Sequence, residues 1–186
     1  MPITFLNSFE RQQYQEVPQE IQEDIMIRFF YLTEKDTEFV RSFYNAVNRT
    51  AISILIGLIR YLGYVPNNWK EKLPGNIFDF VSEQLPQNIP IASLSDYGKR
   101  EQTETEHLGK ILDHLNFRKW QPLFDVQVVE KWLVEIGMVH DRERNLLDLL
   151  CQKLYSEKIL RPSIGTLEEI VGGIQETLEK ETYARL

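Results

Sequence analysis

Residues 48–62, NRTAISILIGLIRYL, are apolar almost all round, which predicts a helix that its neighbours cover on most sides. Arg49, Ser53 and Arg60 form its only polar stripe, and we expect carboxylates or backbone carbonyls to satisfy the two arginines. A glycine inside a helix lowers stability by about 1 kcal/mol relative to alanine, so Gly57 indicates the close approach of another helix. This segment is therefore the predicted central helix of the fold.

Apolar residues recur at helical spacing along most of the remaining chain, and no segment shows the two-residue alternation of a strand. Pro18 is predicted at the first position of one helix, and Thr33 is predicted as the N-cap of the next. Thr166, with Glu169 three residues later, has the spacing of a capping box for a final helix. The pattern predicts an all-α, compact multi-helix fold of about eight or nine helices around a buried central helix.

The domain organisation follows from a proline-marked break near residues 117–124. We predict a helical core over residues 8–116 and a C-terminal helical extension over residues 117–186 packed on it. One continuous domain is the alternative at this stage.

The composition is that of a soluble globular protein, with 186 residues, 42% hydrophobic and 26% charged. The longest apolar run, residues 51–62, is too short to span a bilayer and contains Arg60. The single cysteine, Cys151, excludes a disulfide framework and is predicted to be a small buried thiol. A cytoplasmic protein is the simplest account of this cysteine usage.

The formal charge of −7 opposes a protein that holds nucleic acid by charge alone. The charge is uneven along the chain, however. Residues 1–46 carry four basic and eight acidic side chains, and residues 123–186 carry eight and twelve, which gives −4 for each. Residues 47–122 carry nine and eight, which gives +1. The middle third is therefore where DNA contacts are expected.

A helix predicted within residues 97–118 carries an apolar stripe of Leu108, Ile111, Leu112 and Leu115. At about 100° per residue, a basic and hydrogen-bonding stripe lies on its other side. The members of this second stripe are Lys99, Arg100, Thr103, His107, Lys110 and His114. Such a stripe is either a solvated helix face or a face that touches phosphates and base edges.

The sequence has no phosphate-binding loop, no GxGxxG turn and no HExxH pair. His107 and His114 are two helical turns apart, too far to hold one metal ion together, and His140 lies in another segment. The carboxylates are spread along helix faces without an obvious perturbed pair. We therefore predict no metal, no cofactor and no autonomous enzyme.

Seven short segments carry a further signal along nearly the whole chain. In chain order they are FLNSFERQQY (5–14), FFYLTEKD (29–36), NRTAISILIGLIRYLGYVP (48–66), VSEQL (81–85), Tyr97-x-x-Arg100-x-x-Thr103-x-x-x-His107, FRKWQP (117–122) and LRPSIGTLEEIV (160–171). In the order and spacing of these segments, the chain resembles the N-terminal domain of the class II replicative transposases, the Tn-three family.

The resemblance implies a DNA-binding module that recognises the terminal inverted repeats of a transposon, with the remainder of a transposase or a second copy as a partner. The family's catalytic acidic triad lies far C-terminal to this region, so this chain is not expected to cut or join DNA. It would be cytoplasmic, associated with the bacterial nucleoid when bound to DNA. The predicted DNA contacts are Arg49, Lys99, Arg100, Thr103, His107, Lys110, Arg118 and Lys119.

Two positions depart from the family pattern. The family commonly has arginine after the threonine, where this chain has Glu104, and glycine at the position of Asn116. A glutamate beside the basic stripe repels phosphate, which leaves two further interpretations open. One is an acidic protein–protein interaction module that docks through its last helix, from Thr166 to Tyr183, and the other is a non-functional transposase remnant.

Overall fold

The computed structural model describes residues 4–99, 101–137 and 142–184. These residues form ten α-helices, one 3₁₀ helix and two strands of two residues each, which confirms the predicted all-α class. The excess over the predicted eight or nine helices comes from short elements that hydrophobic periodicity does not detect. The strands, which were not predicted, pair as a two-stranded sheet.

The α-helices are α1 (Ser8–Gln15), α2 (Glu23–Phe30), α3 (Glu34–Arg41), α4 (Ala46–Leu62), α5 (Trp69–Lys72), α6 (Gly75–Ser82), α7 (Glu101–Leu115), α8 (Pro122–Gly137), α9 (Glu143–Ser156) and α10 (Ile164–Ala184). The 3₁₀ helix spans Ile91–Asp96, and the strands are β1 (Arg118–Lys119) and β2 (Ile159–Leu160).

The chain divides into two compact units. The central unit is Glu16–Arg118, and the terminal unit is Met1–Gln15 together with Lys119–Leu186. The division at 118/119 lies two residues from the boundary expected from the sequence. Residues 8–15, which were expected in the N-terminal core, group with the C-terminal helices, because they contact α9 and α10.

Helix α4 is the core of the central unit. Every residue from Thr50 to Ile59 is buried, which confirms the prediction for this segment. Helices α2, α3, α6 and α7 and the 3₁₀ helix all pack on it. Gly57 is the point of closest approach, since a Cβ there would lie 2.2 Å from Cδ1 of Phe30 on α2.

Local hydrogen bonds decide where several helices begin and end. Thr33 caps α3, as predicted, and it does so in a capping box with Asp36. The predicted start of α2 at Pro18 is wrong, because the helix begins at Glu23 and the segment before it buries Val17 and Ile21 without helical geometry.

The C-terminal end of α7 explains one departure from the family pattern. Asn116 adopts a left-handed conformation with φ 56°, and the amide of Phe117 donates to Leu112 O over 2.9 Å. This is a common helix termination that favours glycine and, after it, asparagine. This position requires a left-handed residue, which accounts both for the family's glycine and for Asn116 in this chain.

Helices α8, α9 and α10 pack together in the terminal unit around leucine side chains of α9 and apolar side chains of α10. The predicted capping box at Thr166 is wrong: α10 begins at Ile164, and the amide of Thr166 donates to Ser163 Oγ over 3.2 Å. Glu168 is fully buried and accepts the amide of Leu6 while pairing with Arg11. None of the described helices is long and apolar enough to cross a membrane.

Candidate nucleic-acid interface

The histidine-bearing side of α7 packs against aromatic rings. The imidazole of His114 stacks on Phe39 at 4.2 Å between ring centroids, and its side chain is only 7% exposed. The ring of His107 meets the edge of Phe43 at 5.0 Å and stacks with Tyr97 at 5.8 Å. The solvated-face interpretation therefore does not hold for His107 and His114, whereas Lys110 on the same stripe is exposed. Periodicity counts histidine as polar, but the ring also has apolar faces that can be buried.

His114 belongs to a buried ionic cluster centred on Asp36. Arg60 donates two hydrogen bonds to this carboxylate, at 2.9 and 2.7 Å, and His114 Nε2 lies 2.7 Å from Oδ1. The backbone amide of Thr33 donates a further bond over 2.9 Å. Burial alone would raise the pKa of Asp36, but these donors hold it well below its usual range. The cluster confirms that Arg60 is satisfied by a carboxylate.

The surroundings of His107 favour its neutral form. Burial lowers its pKa below the usual value and the nearby charge of Lys110 lowers it further, while Glu106 acts in the opposite direction. Its Nδ1 is buried and has no hydrogen-bond partner among the described residues. His107 thus supports the surface by packing, and any positive charge must come from its neighbours.

Those neighbours surround the turn between α3 and α4. Arg49 on α4 donates from Nε to Phe43 O over 2.8 Å and from Nη2 to Arg41 O over 3.4 Å, which confirms the predicted carbonyl partners. Lys110 Nζ lies 5.6 Å from the centroid of the Phe43 ring, a cation–π distance. We call this region the Phe43 surface; it comprises Arg41, Tyr44, Arg49, His107 and Lys110 around Phe43.

The other predicted contacts are more dispersed. Thr103 is half-buried one turn before His107, and Lys99 is exposed and pairs with Asp96 at 2.5 Å. Arg118 is half-buried and Lys119 exposed on β1, at the division between the two units. Arg100 lies outside the described residues.

Glu104, which replaces the family's arginine, has a structural role. Its carboxylate pairs with Lys70 Nζ at 2.8 Å, and the same ammonium donates to Tyr97 O over 3.0 Å. Its side chain also fills the space above Gly98, where a Cβ would lie 2.1 Å from Glu104 Cγ. Glu104 therefore neutralises a lysine of α5 and anchors the segment that leads into α7.

Two members of the Phe43 surface, Arg41 and Tyr44, were not among the predicted contacts. RSFYN (41–45) nevertheless places a cation beside two aromatic residues. That pairing was an available signal for a nucleic-acid contact. Within the described part of the chain, no group of three or more histidine, cysteine or acidic side chains could hold a metal ion.

Comparison with known families places this geometry in context. A family described as "Domain of unknown function (DUF4158)" matches residues 5–174. The chain belongs to this family. The DUF4158 match covers α1 to α9 and the described apolar part of α10, and so includes both units.

Curated relatives of this DUF4158 member are transposases of the Tn-three family. The chain is 25% identical to the transposase for transposon Tn1546 of Enterococcus faecium, over 94% of this chain and 17% of that protein. It is also 25% identical to the transposase for transposon gamma-delta of Escherichia coli K12, over 100% of this chain and 18% of that protein. The homology lies in the N-terminal region of these transposases, and the chain spans about a sixth of their length.

Proposed function

We propose that this chain is the DNA-binding module of a transposase and that it recognises transposon terminal inverted repeats. The observation that carries the proposal is the match to transposases along nearly the whole chain, in their N-terminal region. The activity of those proteins requires that they locate the ends of an element. A module without the catalytic acidic triad can supply this recognition, so we propose that the chain by itself does not cut or join DNA.

The Phe43 surface supports the proposal chemically. Arg41, Arg49 and Lys110 bring three positive charges to one region of a chain whose net charge is −7. Arginine and lysine next to exposed aromatic groups suit the phosphates and sugars of a duplex. Since the rest of the protein is acidic, we expect modest affinity with a strong dependence on salt.

The predicted contacts divide into two kinds under this proposal. Lys99, Lys110 and Lys119 contact phosphates and fix the position of the protein, whereas Thr103 lies nearest the base edges. Arg100 remains a sequence-based candidate for a base contact. The protein would act in the cytoplasm, on the nucleoid when bound to DNA.

The test is a titration of the chain against a labelled duplex that carries the terminal inverted repeat of the encoding transposon, with a shuffled duplex alongside. Binding is measured by fluorescence anisotropy between about 50 and about 200 mM salt. We expect tighter binding to the repeat, and we expect Lys110→Ala to weaken both complexes and reduce the salt slope by about 1.

Lys35→Ala is the matched control, because Lys35 is an exposed lysine at the start of α3, away from the Phe43 surface. It should leave both affinities close to those of the parent chain. Equal affinity for the two duplexes would overturn repeat recognition while keeping DNA binding. Absence of binding to either duplex would overturn both.

A protein-interaction role is a second candidate, and the exposed side chains of α8 favour it. Leu123 is 93% exposed, and on the same helix Phe124 is 61% exposed and Val128 is 42% exposed. The last helix was the docking element of the protein-interaction interpretation. Its described apolar residues are buried within its own unit. Phe124→Ser should then weaken binding to the remainder of a transposase in a pull-down while leaving DNA affinity unchanged.

A further inference from the structure

The turn between α3 and α4 is held in place by side-chain hydrogen bonds. Besides its bonds to the carbonyls of Phe43 and Arg41, Arg49 directs Nη1 toward Gln87 Oε1 at 3.5 Å. The amide of Phe43 donates to Val40 O over 3.1 Å, and Asn45 closes the turn with φ 71°. A guanidinium presents several donors in a rigid plane, so this single side chain ties two carbonyls of the turn to α4.

Two neighbouring side chains of this turn differ in their exposure. Phe43 is buried and anchors it, whereas Tyr44 is 86% exposed. Arg41 is also exposed and forms no ion pair with any described residue. An ordered backbone thus carries an unpaired cation and a solvated aromatic ring within four residues of each other.

The backbone that carries both groups belongs to the Phe43 surface. The carbonyl of Arg41 is bound by Arg49, and the ring beneath Lys110 is that of Phe43, the residue before Tyr44. A duplex that approached Lys110 would therefore meet the turn as well. The DNA backbone offers phosphate oxygens for a guanidinium and sugar carbons for an aromatic ring.

We propose that the turn from Arg41 to Asn45 contacts duplex DNA directly, with Arg41 on a phosphate and the ring of Tyr44 packed against the sugar–phosphate backbone. Arg49 is a positioning residue that acts through the turn. This inference rests on the proposed function, because it assumes a DNA-binding module. Since backbone contacts carry no sequence information, the turn contributes affinity for matched and shuffled duplexes alike.

The experiment uses the full chain and the anisotropy titration on both duplexes, with circular dichroism to verify that each variant is folded. Arg41→Ala should weaken both complexes about equally and lower the salt slope by about 1. Tyr44→Ala should weaken them by about threefold or more without changing the slope, while Tyr44→Phe, which keeps the ring, should bind like the parent chain. Controls are Lys35→Ala, six residues and about 9 Å along the axis of α3 from Arg41, and Tyr31→Ala, an exposed tyrosine that precedes this helix.

Arg49→Lys separates positioning from direct contact, because lysine keeps the charge but cannot bridge two carbonyls. We expect it to weaken binding about as much as the combined Arg41→Ala/Tyr44→Ala variant does, because it displaces both contacts, and adding Arg49→Lys to that combined variant should cause little further loss. Additive losses would overturn the positioning role. If the parent chain binds DNA and the Arg41 and Tyr44 variants match the controls, the turn is not a contact and only this inference fails. If the parent chain binds no DNA, the proposed function fails with it.

Discussion

Gly57→Ala tests the packing of α4 against α2. A Cβ at this position would lie 2.2 Å from Cδ1 and 2.6 Å from Cε1 of Phe30. Carbon atoms in contact are ordinarily about 3.5 Å apart, so the ring would have to move by about 1.3 Å. Phe30 is 1% exposed and has no solvent to turn into. Overpacking of this kind costs about 1–3 kcal/mol, which outweighs the gain of about 1 kcal/mol from replacing a helical glycine.

We therefore expect Gly57→Ala to lower the free energy of unfolding by up to about 2 kcal/mol, measured by urea denaturation with circular dichroism. Gly109→Ala is the matched control, since no atom would lie within 4 Å of its Cβ, and it should raise stability by about 0.5–1 kcal/mol. Adding Phe30→Leu should relieve part of the strain in a double-mutant cycle. If Gly57→Ala stabilised the protein as Gly109→Ala does, without coupling to Phe30, the close approach would be refuted.

Three further predictions follow from the ionic and thiol groups. The pKa of Asp36 is lower in the folded chain than the unfolded value of about 3.9, so its stabilisation is present above that pH and is lost as the pH falls. Asp36→Asn should therefore lower stability at neutral pH, because it leaves Arg60 without its anion. The variant should also lose less stability than the parent chain as the pH falls. A denaturation midpoint that falls in acid as steeply as that of the parent chain would contradict this. Glu104→Gln should release Lys70 and steepen the salt slope of DNA binding by about 1, and an unchanged slope in the anisotropy titration would exclude such a charge effect. Burial raises the pKa of the Cys151 thiol, so iodoacetamide should react much more slowly with the native chain than with the urea-unfolded chain, and equal rates would show that the thiol is not protected.

Elements that depend on nearby residues could be predicted from the sequence. The all-apolar segment at 48–62 indicated the buried central helix, and the spacing of Thr33 and Asp36 allows the capping box that the structure forms. Boundaries were wrong where another interaction replaced the local signal, as at Pro18, where the chain buries Val17 and Ile21 before the helix begins.

The candidate site was only partly predictable. Lys110 and Arg49 were identified as polar groups in a middle third of balanced charge, and the structure brings them together around Phe43. Arg41 and Tyr44 were missed because a periodic pattern does not show which residues of a turn remain exposed once the turn has packed. The role of Glu104 was missed because its partner, Lys70, lies 34 positions away in the sequence.

By itself, the sequence determined the all-α class, the central helix and the resemblance to transposases, because each depends on spacing or order along the chain. Only the tertiary structure decided which charges are available to a partner. Asp36 pairs with Arg60, which is 24 residues away in the sequence, and with His114, which is 78 residues away. Pairings over such distances depend on how the helices pack, and burial then strengthens them by excluding water. The same packing leaves Arg41 and Tyr44 on the surface.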